Sequence, residues 1–358
     1  MQKLKERQVQ RRDPAKVAES ALHWGAPVLE SAITLLADDR LYYRGYDALE
    51  LATRCTVEQV AALIWTGELV SDPAALFGAA WNPLPPRCQE VREHLAGVPA
   101  LEAFQILLPL AAVDDWAAYD LRPPVVAQTG VRIMRLLATI TAGDQTGNTL
   151  SQRLRHGWMQ HDPQAAGLIN SALILCADHE LNVSSFTARC VASAGSTPYQ
   201  VVQAGLAALQ GVKHGRMTDR VEAFLREAGS PAGVQTAIAG YLRRGESIPG
   251  FGHPLYPGGD PRGRLLLDQT AAAYPDSPAL ALTQAVAAAV FELMGEYPTV
   301  DFGLVALAQT LQLPPGGAIS LFALGRTIGW IGHAIEQYQL DRMIRPRAQY
   351  VGKQPGEG

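Results

Sequence analysis

Apolar residues along this chain recur at steps of three and four from about residue 47 onward, and strict strand-type alternation is scarce. Asp47 and Thr56 read as helix N-caps, each followed three residues later by a side chain able to reach back, Glu50 and Gln59. The helix opened at Val57 turns Val60, Leu63 and Ile64 inward and stops near Gly67, a C-terminal glycine. Further helices are predicted over 101–115, 124–141, 164–192, 199–210, 219–228, 262–273 and 278–294. In the last one, 320–338, Leu321, Leu324, Ile328, Ile331 and Ile335 form a buried stripe. Gly325 and Gly329 sit four apart beside that stripe and leave room for another helix to come close. Arg44-Gly45-Tyr46 marks a tight turn after a short hairpin around 32–42, and Pro- or Gly-rich breaks fall at 82–87 and 313–317. The pattern predicts an all-α protein.

Composition narrows what such a protein does. At 358 residues, 48% apolar and 18% charged, the chain reads as an ordinary globular protein of two domains or one large one. A formal net charge of −4 argues against a nucleic-acid binder working through a global positive field. The uncharged runs 190–212 and 302–325 are studded with Ser and Gln or cut by Pro314-Pro315-Gly316-Gly317, so they read as buried helices rather than membrane spans. Cys55, Cys88, Cys176 and Cys190 show no CxxC pairing and read as thiols in a reducing compartment. The arm Met1–Lys16 is charged throughout and lacks the apolar stretch of a signal peptide. It reads as solvated, lying on a neighbouring subunit or disordered, and a cytoplasmic location is expected. Neither His/Cys pairs at metal-ligand spacing nor a phosphate-binding glycine loop after a strand is evident, so no metal or cofactor is expected.

Three distant segments each deliver one reactive side chain from an apolar or glycine-rich setting: Lys213-His214-Gly215, Gly250-Phe251-Gly252-His253 and Thr299-Val300-Asp301-Phe302. Two imidazoles and a carboxylate can take a proton from carbon while polarising a carbonyl. Singly, each also reads as a turn or cap residue. Arginines in Asp260-Pro261-Arg262, Gly325-Arg326 and Arg345-Pro346-Arg347 suggest a polyanionic small molecule, because the guanidinium fork matches a carboxylate. Arg326 interrupts an uncharged helix, where an unpaired cation is costly. His333, on that same helix, reads as a satisfied core histidine, and His23, His94, His156 and His161 have no supporting pattern.

Together with Tyr43-Arg44-Gly45-Tyr46, Ala177-Asp178-His179-Glu180-Leu181-Asn182, Gly325-Arg326-Thr327-Ile328-Gly329-Trp330 and Tyr350-Val351-Gly352, these segments resemble the citrate synthase family, in the family's order and over nearly the whole chain beyond about residue 40. The resemblance implies a two-domain, mostly helical homodimer. A small domain at 210–306 would be inserted in a large one formed by 1–209, including an arm at 1–20, and 307–358. Hinges are implied near 208–212 and 304–309. It further implies condensation of acetyl-CoA with oxaloacetate, CoA being carried by the co-substrate. Asp301 would be the base, His214 the donor to the thioester oxygen, and His253 the group that polarises the ketone. Oxaloacetate would be held by His179, Asn182, Arg262 and Arg326, with Arg345 reaching in from the partner subunit and Arg347 a weaker substitute.

Departures from the family pattern fall where CoA is expected. Arg216-Met217-Thr218 follows His214-Gly215 in place of a small-residue run, and Pro254 and Pro257 stand where many bacterial members have basic residues. The CoA-facing set is then Arg216, Gly250, Phe251 and Gly252, with Arg216 restoring charge or else narrowing the site. A propionyl-CoA enzyme making 2-methylcitrate, a citryl-CoA lyase and a non-catalytic paralogue all stay open on the sequence alone.

Overall fold

In a computed structural model of the chain, residues 29–78, 81, 83–159 and 162–355 are described. The N-terminal arm, His23 and His161 lie outside them. Sixteen α-helices, two short 3-10 helices and one small sheet make up the described elements, so the all-α expectation holds. The sheet is a meander of β1 (Thr34–Ala37), β2 (Arg40–Tyr43) and β3 (Tyr46–Asp47), with Thr34 opposite Tyr43 and Tyr42 opposite Asp47. Both of its two-residue turns need left-handed backbone: Asp38 and Asp39 have φ of 51° and 56°, and Arg44 and Gly45 have 51° and 89°. Aspartate and glycine tolerate that region, and such turns match the twist of paired strands.

Helices α1 (Ala48–Arg54) and α2 (Val57–Thr66) follow. Asp47 caps α1 by accepting from the Leu49 and Glu50 amides, without a return bond from Glu50. Thr56 and Gln59 form both halves of the capping box on α2, and Gly67 ends it at φ 84°. Next come α3 (Ala74–Phe77), α4 (Pro86–Glu93), α5 (Ala100–Val113), α6 (Pro123–Ala142) and α7 (Leu150–Trp158). The predicted break at 82–87 is entered by α4 at Pro86, since proline suits a first helical turn.

The single helix predicted over 164–192 is instead two, α8 (Ala165–Leu175) and α9 (Val183–Ser193). Between them Glu180 adopts φ 51°, and Asn182 caps α9 by accepting from the Ser184 and Ser185 amides. The interruption is built by tertiary contacts. The Ala177 carbonyl accepts from the Gly329 amide at 2.9 Å, and the Tyr43 hydroxyl donates to the Asp178 carbonyl at 3.2 Å.

The remaining helices are α10 (Pro198–Leu209), α11 (Met217–Ala228), α12 (Val234–Arg243), α13 (Pro261–Ala273), α14 (Pro278–Met294), α15 (Val300–Thr310) and α16 (Gly317–Leu340). Helix α16 is the axis of the core. It is buried without interruption from Gly317 to Ile335 and packs against α2, α6, α8, α9, α10 and α15. It is apolar and long enough to cross a membrane, but its most apolar window is wholly covered by these neighbours. The expected close approach occurs at both glycines. A Cβ at Gly325 would lie 2.5 Å from the Leu173 carbonyl oxygen on α8, and one at Gly329 2.4 Å from that of Ala177. Helices α11 to α14 form a second group around α15, which touches both groups.

Candidate active site

Asp301 lies in the first turn of α15, not in a loop. A carboxylate at a helix N-terminus is normally favoured in its charged form. Here burial wins and pushes its pKa up to about 6, with Asp260 adding to the rise and Arg262 and Arg326 opposing it. Its Oδ1 is covered and has no hydrogen-bond partner among the described residues, while Oδ2 lies 3.5 Å from the Thr299 hydroxyl. The residue as a whole, backbone included, is half-buried.

One buried carboxylate organises the surroundings. Asp260 accepts from Arg262 at Nε (2.9 Å) and Nη2 (2.8 Å) and from its amide (3.0 Å). It also accepts from the Val300 amide at 2.9 Å, tying the start of α13 to the start of α15. Burial opposes both charges, and their mutual attraction and hydrogen bonds override it: Asp260 is held below, and Arg262 above, its ordinary pKa. Gly263 lets the two helix ends touch, since a Cβ there would sit 2.4 Å from the Thr299 carbonyl oxygen.

His253 is carried by a loop stitched to the same corner. Gly252 donates to the Tyr297 carbonyl (3.0 Å), and Thr299 donates to that of Gly250 (2.9 Å). Gly250 and Gly252, at φ 84° and 71°, allow the turn. The Leu255 amide donates to His253 Nδ1 at 3.2 Å. An amide can only donate, so the neutral ring carries its proton on Nε2. Burial and then Arg262 lower its pKa, keeping it neutral.

His214 arrives from the link between α10 and α11. A Cβ at Gly215 would meet the Leu209 carbonyl oxygen at 2.7 Å, so the turn passes close under α10. His214 Nε2 is 2.9 Å from the Ser184 hydroxyl, which accepts from Trp330 Nε1 at 3.3 Å and sits 2.8 Å from Asn182 Oδ1. Trp330 can only donate and Asn182 Oδ1, which also takes the Ser184 and Ser185 amides, can only accept, so Ser184 gives its one hydrogen to Asn182 and accepts from His214 Nε2–H. Burial, reinforced by Arg326, pushes the His214 pKa down to about 3. Phe322 stands between these two, with its ring centroid 5.9 Å from that of His214 and 5.0 Å from the Arg326 guanidinium.

Arg326 is 1% exposed, donates from Nε to the Cys176 carbonyl at 2.8 Å, and meets no carboxylate at ion-pair distance among the described residues. His179 and Asn182 sit in the loop before α9. His179 Nε2 is 2.9 Å from the Tyr256 hydroxyl, and its ring lies 5.5 Å from that of His253. Arg262 influences Asp301, His253 and His179, and Arg326 influences Asp301, His214 and His179. The predicted trio, both arginines, His179 and Asn182 therefore share one corner of the protein.

Two predicted residues do not join that corner within the chain. Arg345 is exposed on the segment after α16. Arg216 donates to Glu102 at 2.6 Å and to Asp219 at 2.9 Å, so its charge is already answered by two carboxylates. The sequence reading missed Asp260, Ser184 and Tyr256. For Asp260 a signal was present, because Asp followed by Pro at the head of a helix is an N-cap pattern. His333 lies in the core as expected but is only half satisfied: Nε2 is 3.2 Å from Asp178 Oδ1, while Nδ1 is buried without a partner among the described residues.

The family model for the citrate synthase C-terminal domain matches residues 21–347. The chain belongs to the citrate synthase family. Its relatives include the citrate synthase of Mycolicibacterium smegmatis, 29% identical over 334 residues that cover 87% of this chain and 89% of the relative. They also include the 2-methylcitrate synthase of Mycobacterium tuberculosis H37Rv, 29% identical over 333 residues (87% and 84%). Among solved structures, citrate synthase of Thermotoga maritima superposes with a TM-score of 0.80 at 26% identity, covering 93% of this chain and 96% of that one. That of Thermoplasma acidophilum, a ternary complex with carboxymethyl coenzyme A and oxaloacetate, shares the fold with a TM-score of 0.83 at 21% identity (93% and 96%). Membership in the family makes the chain a transferase-type enzyme. Its relatives carry both names, citrate synthase and 2-methylcitrate synthase.

Proposed function

We propose that the protein condenses acetyl-CoA with oxaloacetate to give citrate and CoA, acting as an acyltransferase that converts the acyl group to an alkyl one. The observation that carries this reading is the Asp301 carboxylate, raised to about 6 with a covered, unpartnered Oδ1, in a corner shared with two neutral imidazoles and two arginines. A base with a raised pKa removes a proton from carbon more effectively than an ordinary carboxylate.

Asp301 takes a proton from the acyl carbon while His214 donates a hydrogen bond to the thioester oxygen. That role requires Ser184 to turn its hydrogen from Asn182 Oδ1 to His214 Nε2 when substrate binds, which leaves the ring's one proton on Nδ1 for the thioester oxygen. The enolate carbon then attacks the ketone carbon, and His253 Nε2–H donates to the ketone oxygen as it becomes an alkoxide. Water adds to the resulting thioester, the carbon–sulfur bond breaks, and CoA leaves as the thiol. Arg262 and Arg326 hold the substrate carboxylates, His179 and Asn182 complete the pocket, and Arg345 comes from the partner subunit of a dimer. Residues 210–306 form the small domain that closes over the substrates between the two parts of the large one, 1–209 and 307–358, excluding water while the enolate lives.

A second reading is supported by Arg216: its ion pairs with Glu102 and Asp219 leave little positive charge there for CoA phosphates, as a paralogue with weak CoA binding requires. Thiol release measured with oxaloacetate and either acetyl-CoA or propionyl-CoA tests both. Release that is faster with acetyl-CoA is the expected result. Preference for propionyl-CoA reassigns the product to 2-methylcitrate, and no release with either overturns the enzymatic reading.

A further inference from the structure

Tyr256 has no part in the chemistry above, but three of the site's groups surround it. Its hydroxyl lies 2.9 Å from His179 Nε2, its ring centroid is 5.1 Å from that of His253, and the Arg262 guanidinium stands 5.5 Å from its ring. Its amide donates to the His253 carbonyl at 2.9 Å, so the two aromatic rings belong to one turn. The residue is only 2% exposed, and no other hydrogen bond of its hydroxyl is recorded among the described residues.

We propose that Tyr256 is a positioning residue of the dicarboxylate pocket: its hydroxyl donates to His179 Nε2 and fixes that imidazole in the tautomer with its proton on Nδ1.

The direction of the bond follows from counting hydrogens. His179 is neutral, because burial, Arg262 and Arg326 all disfavour a further positive charge, so its ring has one proton. Burial also keeps the Tyr256 hydroxyl protonated, raising its pKa to about 12. If His179 donated from Nε2, the tyrosine hydrogen would be left covered without an acceptor, which is the costlier arrangement. With the tyrosine donating, Nε2 is satisfied, and the imidazole meets the substrate with one fixed donor in place of two interconverting forms.

This inference rests on the proposed oxaloacetate site, and its test separates the two. In wild-type protein labelled with ¹⁵N at histidine, the His179 ring is expected to show a single Nδ1–H tautomer, and in Tyr256→Phe a mixture. That readout needs no turnover. In the condensation assay, Tyr256→Phe raises KM for oxaloacetate roughly three- to tenfold, the worth of one neutral hydrogen bond, and leaves KM for acetyl-CoA within about twofold. In a His179→Ala background the same Tyr256→Phe change should have no further effect on oxaloacetate KM, because the tyrosine acts through the ring. An unchanged His179 spectrum in Tyr256→Phe overturns the proposal, as does a full additional penalty in the His179→Ala background, which would place the hydroxyl on the substrate itself. A wild-type protein that shows the tautomer but forms no product instead overturns the proposed reaction and leaves the positioning bond standing.

Discussion

Two buried arginines in the same corner are treated in opposite ways. Arg262 is gripped by Asp260 through two side-chain hydrogen bonds, and the pair also fastens α13 to α15. Among the described residues Arg326 has a single backbone carbonyl and the flank of Phe322, and burial lowers its pKa where Asp260 raises that of Arg262. A buried cation without a counter-ion is expensive, and a fold tolerates it where an anion is meant to arrive. Under the proposed function the contrast gives Arg262 a double duty, structural and binding, and Arg326 chiefly a binding one. Asp301 is the negative counterpart of Arg326: a carboxylate kept in the core without a direct ion pair.

The largest expected effect breaks the comparison directly. Arg262→Met strands Asp260 and should lower unfolding free energy by about 3–5 kcal/mol, whereas Arg326→Met should stay within about 1 kcal/mol of wild type and abolish oxaloacetate binding. Equal losses of stability in urea titrations of the two variants would refute the distinction. Asp301→Asn should reduce turnover about 10²- to 10⁴-fold without lowering stability at pH 7. The sign follows from the raised pKa: the fold favours the protonated acid, so wild type loses stability relative to the variant as pH rises from the ordinary value of about 4 through about 6. Stability curves of the two proteins that run parallel over that interval would contradict it.

Turnover itself should fall below pH about 6, as Asp301 is protonated, and level off above it. His214, pushed down to about 3, is already neutral there, so a further rise tracking its titration would argue against its assigned state. The smallest effect belongs to the accessible ion pair. Glu102→Gln removes one partner of Arg216 and should change stability by less than about 1 kcal/mol, read from the denaturant midpoint. A markedly lower KM for acyl-CoA in that variant would show that Glu102 withholds Arg216 from CoA.

The sequence made the helices legible wherever local chemistry decided them. Thr56 and Gln59 announce α2, and the glycines of α16 announce a close neighbour, because cap geometry and missing side chains act within a few residues. The split between α8 and α9 was invisible because Ala177 to Asn182 is composed of helix-compatible residues. It is broken from outside, by Gly329 and Tyr43, more than a hundred residues away in the chain. The site was legible in its reactive side chains and not in their supports. Ser184, Asp260 and Tyr256 earn their places through contacts that only the fold creates, with His214, Val300 and His179 respectively. Arg216 shows the converse: Asp219, three residues on, was within sight as a helical pair, but nothing in the sequence announced Glu102, 114 residues away.

The short backbone bridge between Phe251 and Pro298 has a mechanical consequence. With Gly252 and Thr299 bonded across it, the loop of His253 and the helix start of Asp301 are riveted to one plate. Under the proposed function, closure would then leave the gap between those two groups unaltered and bring only the remaining groups, Arg326 among them, into register.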